Sequence, residues 1–146
     1  YALSDSDGAL QFYVDAEDTM AGSISAADGK HPITVATRRL SPYLDQPVDY
    51  LKLDIEGTEG AVLAECAHAL PQVHHLFIEY HETHHPERNS LPAILSILER
   101  AGFDYEVSKS HGYHLISEHR PMAHVGQSYS AILWAKNRTW PPAETA

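Results

Sequence analysis

Carboxylates and an imidazole collect at two places along this chain, Asp54 with Glu56 and Glu79 with His81. Such side chains take up or release protons near neutral pH when they lie within hydrogen-bond reach of a reacting atom. Leu51, Leu53 and Ile55 alternate with Lys52, Asp54 and Glu56, which is the period-two pattern of a strand with one apolar and one polar face. Gly57 and Gly60 then mark a turn into a helix. The carboxylates therefore sit at a strand exit, where open α/β sheets bind their ligands. A structural account competes with this one. Lys52 can pair with Asp54 as a buried ion pair, and Glu56 and Glu59 suit a helix N-terminus, where the dipole favours negative charge.

The run Val73 to His81 reads as the next strand, centred on Leu76, Phe77 and Ile78, with Glu79 and His81 at its exit. Strand, helix and strand make a βαβ unit, whose crossover puts both exits on one edge of a parallel sheet. Neighbouring strands lie about 5 Å apart, so Asp54 and Glu56 should come within side-chain reach of Glu79 and His81.

Histidine recurs just beyond, in His81-Glu82-Thr83-His84-His85. A metal site of the HExxH kind needs its two imidazoles one helical turn apart. His81 and His85 do stand four apart, but Pro86 directly follows and interrupts a helix, so the sequence assigns no metal ligand. A metal-dependent hydrolase built on Asp54, Glu79 and His81 stays as an alternative.

The remaining elements frame these strands. Asp7-Gly8 is a turn signal and residues 9 to 14 alternate as a strand. Glu17 to His31 is polar and reads as a long loop, and Ile33 to Leu40 as a second strand, with Arg38-Arg39 solvated on a sheet edge. Val62, Leu63, Cys66, Ala67 and Leu70 fall at helical spacing up to Pro71. Ser90 and Pro92 open a further helix with Leu91, Ile94, Leu95 and Leu98 inward, and Gly102 follows its end. Phe103, Tyr105 and Val107 begin a strand, Tyr113 to Ile116 could extend the sheet, and Tyr129 to Ala135 supplies the last one.

Lys52-Leu53-Asp54-Ile55-Glu56-Gly57-Thr58-Glu59 resembles the K-[IVL]-D-[IV]-E-G-x-E signature of the FkbM family of S-adenosylmethionine-dependent methyltransferases. The segment Ala2-Leu3-Ser4-Asp5-Ser6-Asp7-Gly8, continuing to Phe12-Tyr13-Val14, is similar to that family's A-L-S-D-x-x-G-x-x-x-F-Y-V stretch. The resemblance covers residues 1 to 137 and implies α/β architecture, a partial Rossmann-like, class I methyltransferase mixed sheet with flanking helices and an added antiparallel hairpin. It also implies O-methylation of a hydroxyl on a small molecule such as a sugar or polyketide. In that setting Glu79 and His81 are candidate bases, while Asp54 and Glu56 are candidates to orient the acceptor or face the cationic donor. The family's D-x-G-A-N-x-G cofactor turn has no counterpart here, and the chain opens at Tyr1. The expectation is a fragment corresponding to the later part of a member, with its cofactor-binding residues unknown.

The 146 residues, 43% of them hydrophobic, suit one domain over residues 1 to 138, with residues 139 to 146 as a flexible tail carrying Pro141-Pro142. A formal net charge of -10 argues against nucleic acid, whose affinity comes from Lys and Arg on phosphates. Eleven histidines should make that charge much less negative, and the protein less soluble, as pH falls below 7. Cys66 is alone, so no disulfide framework exists, and its apolar setting marks it as core. No apolar run is long enough to span a membrane and no leader is visible, which points to the cytoplasm. An unpaired strand edge at Val48 predicts a homodimer, and a self-associating, inactive remnant is the further alternative.

Overall fold

The computed structural model describes residues 1–15, 30–82, 89–109 and 130–140. The expected loop from Glu17 onward lies mostly outside them, as do His84, His85, Tyr113 to Ile116 and residues 141–146. His31, placed in that loop by the sequence, belongs instead to a strand.

The described residues form two sheets. The first holds β1 (Ala2–Leu3), β2 (Gly8–Asp15) and β3 (Lys30–Arg38) in the order β1-β3-β2. β2 and β3 pair antiparallel from Gly8↔Thr37 to Asp15↔Lys30. β3 is the middle strand, which corrects the expectation that Arg38-Arg39 lies on an edge. The basic pair ends β3 rather than flanking it: Arg38 stacks over the Tyr1 ring and Arg39 pairs with Asp7 at 3.2 Å. Both contacts are surface contacts, which contribute little stability.

The second sheet positions the chemistry. It contains β4 (Val48–Leu53), β5 (Val73–His81), β6 (Phe103–Lys109) and β7 (Ser130–Asn137) in the order β4-β5-β7-β6. β4 and β5 are parallel, with Leu51 opposite Leu76 and Leu53 opposite Ile78, whereas β7 runs antiparallel to both β5 and β6. β5 has the bounds its alternation predicts. On one face Leu53, Leu76, Ile78 and Leu133 are buried beneath α1 (Glu59–Glu65) and α2 (Leu91–Arg100), which contribute Val62, Leu63, Ile94 and Leu98. On the other, Tyr50 and Trp134 are exposed, and Phe77 meets Trp134 edge to face at 4.7 Å. Lys52 is therefore solvated. Its ion pair with Asp54, at 3.0 Å, exists but is not the buried pair that a doubly covered strand would require.

α1 is shorter than its apolar spacing implies. It ends at Glu65, because the amides of Ala69 and Leu70 both turn back to the carbonyl of Cys66 and a 3-10 turn over Leu70–Gln72 takes in Pro71. Glu65 ties the two sheets' connection to the core: its carboxylate accepts the Leu40 and Ser41 amides at 3.2 and 3.1 Å and also the Ser41 hydroxyl. Leu40 and Leu44 are thereby seated against the helices. Among the described residues no helix is long and apolar enough to cross a membrane.

Cys66 closes α1 fully buried, and burial pushes its thiol up to about 12. A thiol reagent at about pH 8 should leave the native protein unlabelled and modify one cysteine after unfolding, as read by mass spectrometry. Rapid labelling of the folded protein would contradict this burial.

Candidate functional site

The parallel pairing of β4 with β5 carries Asp54, Glu56 and His81 to one mouth, where donor atoms of all three lie within 4.8 Å of one another. Asp54 is exposed and bound to Lys52. Glu56 lies 3.9 Å from Nε2 of His81. Glu79 follows on the same face of β5 as His81, two residues earlier, and its charge acts on Lys52, Glu56 and His81. The four residues singled out by their strand positions are thus neighbours in space.

The turn out of β4 explains how. Glu56 has φ +56 and Gly57 φ +98, two consecutive left-handed residues that reverse the chain between strand and helix. For a residue with a Cβ that conformation costs about 1–2 kcal/mol, so the surroundings must hold it. They do so through Glu59. Its carboxylate, fully buried, folds back from the first residue of α1 and accepts the Gly57 amide at 3.0 Å and the Ile55 amide at 3.4 Å.

The same Oε1 faces Nδ1 of His81 at 3.1 Å, while Oε2 accepts Nδ2 of Asn89 at 2.8 Å. A carboxylate only accepts, so the ring nitrogen facing Glu59, Nδ1, is the one that donates, and Nε2, 3.9 Å from Glu56, is where the ring gains or loses its second proton. Asn89 is almost fully buried. Its other contacts run from Nδ2 to the His81 carbonyl at 2.7 Å and from the Gly60 amide to Oδ1, also 2.7 Å. Asn89 does not stand out in the sequence as a site residue, and Glu59 does so only as the last residue of the signature-like run Lys52 to Glu59. Glu59 reads there as a helix-dipole charge, and Asn89 only as the residue before a cap.

The electrostatics follow from this packing. The Glu59 hydrogen bond holds the His81 pKa above its ordinary value against the opposing effect of burial, with help from the charges of Glu59, Glu56 and Glu79. Burial raises the Glu56 carboxyl, partly offset by His81 and reinforced by Asp54, Glu59 and Glu79. An imidazole fixed by a carboxylate, with its second nitrogen turned to the mouth beside Glu56, can when neutral accept a proton from a bound hydroxyl. Asp54, Glu56 and His81 together also have the donor types that can hold a divalent cation, although Lys52 already neutralises Asp54.

A turn that could cradle the anionic end of a cofactor must have free amides. Three of those leading into α1 are not free, since Ile55, Gly57 and Gly60 donate to Glu59 and Asn89.

A family model described as the methyltransferase FkbM domain matches residues 1–105, which include both strand exits. Neither a curated protein nor a solved structure matches the chain.

A raised imidazole pKa means that folding favours protonated His81. Its contribution to stability is complete below the ordinary value near 6.5 and disappears as pH rises through the raised value. The difference in urea midpoint between the wild type and His81→Ala should therefore be largest at about pH 5.5 and smaller at about pH 8.5. A difference that grows with pH would show that His81 is not stabilised in its charged form.

Proposed function

The chain belongs to the methyltransferase FkbM domain family, and from that premise we propose that the mouth at the β4 and β5 exits receives the acceptor of an O-methyl transfer. One observation carries this reading: His81 is gripped at Nδ1 by a buried carboxylate and offers only Nε2 to the mouth. A parallel strand pair extended by antiparallel β7 and β6 supports the Rossmann-like, class I form of the sheet.

S-adenosylmethionine, the donor expected for the family, supplies when bound a methyl carbon on a sulfonium. The Ile55, Gly57 and Gly60 amides are already taken and do not receive its anionic end, so the cofactor-binding residues are left unassigned and the roles below concern the acceptor. Nε2 of His81 takes the acceptor's hydroxyl proton, and Glu59 stabilises the imidazolium so formed. Asp54 and Glu56 accept hydrogen bonds from neighbouring hydroxyls and fix the reacting oxygen in line. Glu79 keeps the potential negative. Three carboxylates at one mouth repel an anionic acceptor and suit a neutral, hydroxyl-rich one, such as a sugar or a polyketide. The lone buried thiol of Cys66 is compatible with a reducing, cytoplasmic setting.

The test is release of S-adenosylhomocysteine by the full-length protein supplied with S-adenosylmethionine and a panel of neutral polyols. His81→Ala should lower turnover by about 10²–10⁴-fold, Asp54→Asn should cost less, and wild-type turnover should rise with pH as His81 loses its proton. Unchanged turnover in His81→Ala would end the base assignment. Hydrolysis that needs zinc and no S-adenosylmethionine would favour the metal-dependent hydrolase, for which the structure groups Asp54 and His81 with Glu56 rather than with Glu79.

Self-association has its own support. β4 has a single neighbouring strand among the described residues, and an open edge can pair with a second copy. Sedimentation at high concentration should give the mass of a dimer. A clean monomer would remove this part of the reading.

A further inference from the structure

Asn89 sits where three parts of the site meet, and each of its polar side-chain atoms is used. Nδ2 donates both to Oε2 of Glu59 and to the main-chain carbonyl of His81, while Oδ1 accepts the Gly60 amide. The orientation of the amide is fixed by chemistry, since two acceptors face the nitrogen and one donor faces the oxygen. At 1% exposure the side chain has no access to an acceptor or cofactor.

We propose that Asn89 is a positioning residue, which engages one oxygen of Glu59 so that the other is held against Nδ1 of His81 and the imidazole keeps the tautomer with its lone pair on Nε2. Glu59 alone would not secure this. With Oε2 released, Oε1 keeps the Gly57 and Ile55 amides, but the carboxylate can tilt about that oxygen, where the torsional preference is broad, and the ring can then turn over or change tautomer. By also holding the carbonyl of His81, the amide fixes the backbone that carries the ring and the carboxylate that orients it. The charged groups facing the ring are Glu59 from α1, Glu56 and Asp54 from the turn after β4, and Glu79 from β5 itself, and Asn89 contacts only the first of them. Its effect is therefore exerted through Glu59 rather than through the mouth.

The catalytic meaning of this arrangement rests on the reading of His81 as base, whereas the arrangement itself is measurable without substrate. The measurement is a long-range ¹⁵N–¹H correlation spectrum of the histidine rings at a pH where His81 is neutral. The wild type should show His81 protonated at Nδ1, and a wild-type ring protonated at Nε2 would overturn the proposal at once. Asn89→Ala and Asn89→Ser, which remove the double donation, should shift His81 toward the Nε2-protonated form. The serine variant gives the reading if alanine does not fold. Tyr80→Phe is the control, because the Tyr80 hydroxyl donates to the main-chain carbonyl of Asn89 at 3.4 Å and its loss loosens the same chain segment. The tautomer should survive that change. An Nδ1-protonated ring in both Asn89 variants, or an equal shift in Tyr80→Phe, would overturn the proposal. Expected tautomers combined with no methyl transfer would sink the proposed function and leave this inference standing.

Discussion

A single buried carboxylate, Glu59, holds the candidate site together. An ionised group without solvent must have its lone pairs satisfied, and here the donors that satisfy it belong to the turn after β4, the last residue of β5 and the chain leading into α2. Desolvating the carboxylate would be costly anywhere else. At this position the cost is offset by donors that the turn and strand exit must place somewhere in any case, so the requirement to satisfy Glu59 also determines where His81 points. The left-handed Glu56 follows from the same constraint, because the backbone must reverse there to bring the Gly57 amide onto Oε1.

Much of the frame can be read from residue alternation. β5 runs from Val73 to His81 as its pattern indicates, and the parallel pairing that unites the two acidic runs follows from a strand, helix and strand in succession. The extent of the helix that begins at Glu59 was less legible. Apolar spacing continues through Leu70, yet the backbone leaves the α-helix at Cys66, and a hydrophobic stripe does not register a change from α to 3-10 hydrogen bonding. Leu70 is buried either way.

The site was legible in its outer residues and not in its inner ones. Asp54, Glu56, Glu79 and His81 show themselves because a charge at a strand exit breaks an otherwise apolar pattern. Glu59 closes the signature-like run from Lys52, yet a glutamate at the start of a helix is common, and sequence does not reveal whether its carboxylate faces water or folds inward. Asn89 is further removed. Its partners Gly60 and His81 are brought near only by the completed βαβ crossover, so no local spacing could have marked it. The sheet's solvated face, with Tyr50 and Trp134 outward, likewise depends on which side the helices pack, a tertiary choice.

The double grip of Asn89 and Glu59 also fixes how β4 and β5 can slide. Sliding one parallel strand past the other by a single residue would move their exits about 3.3 Å relative to each other, farther than a hydrogen bond stretches. Both tethers would part together, since one joins the β4 turn to the His81 ring and the other joins the start of α1 to the His81 carbonyl. The side chains thus act as a latch on strand register at the end of the sheet where chemistry is placed, in addition to the ladder that aligns its length.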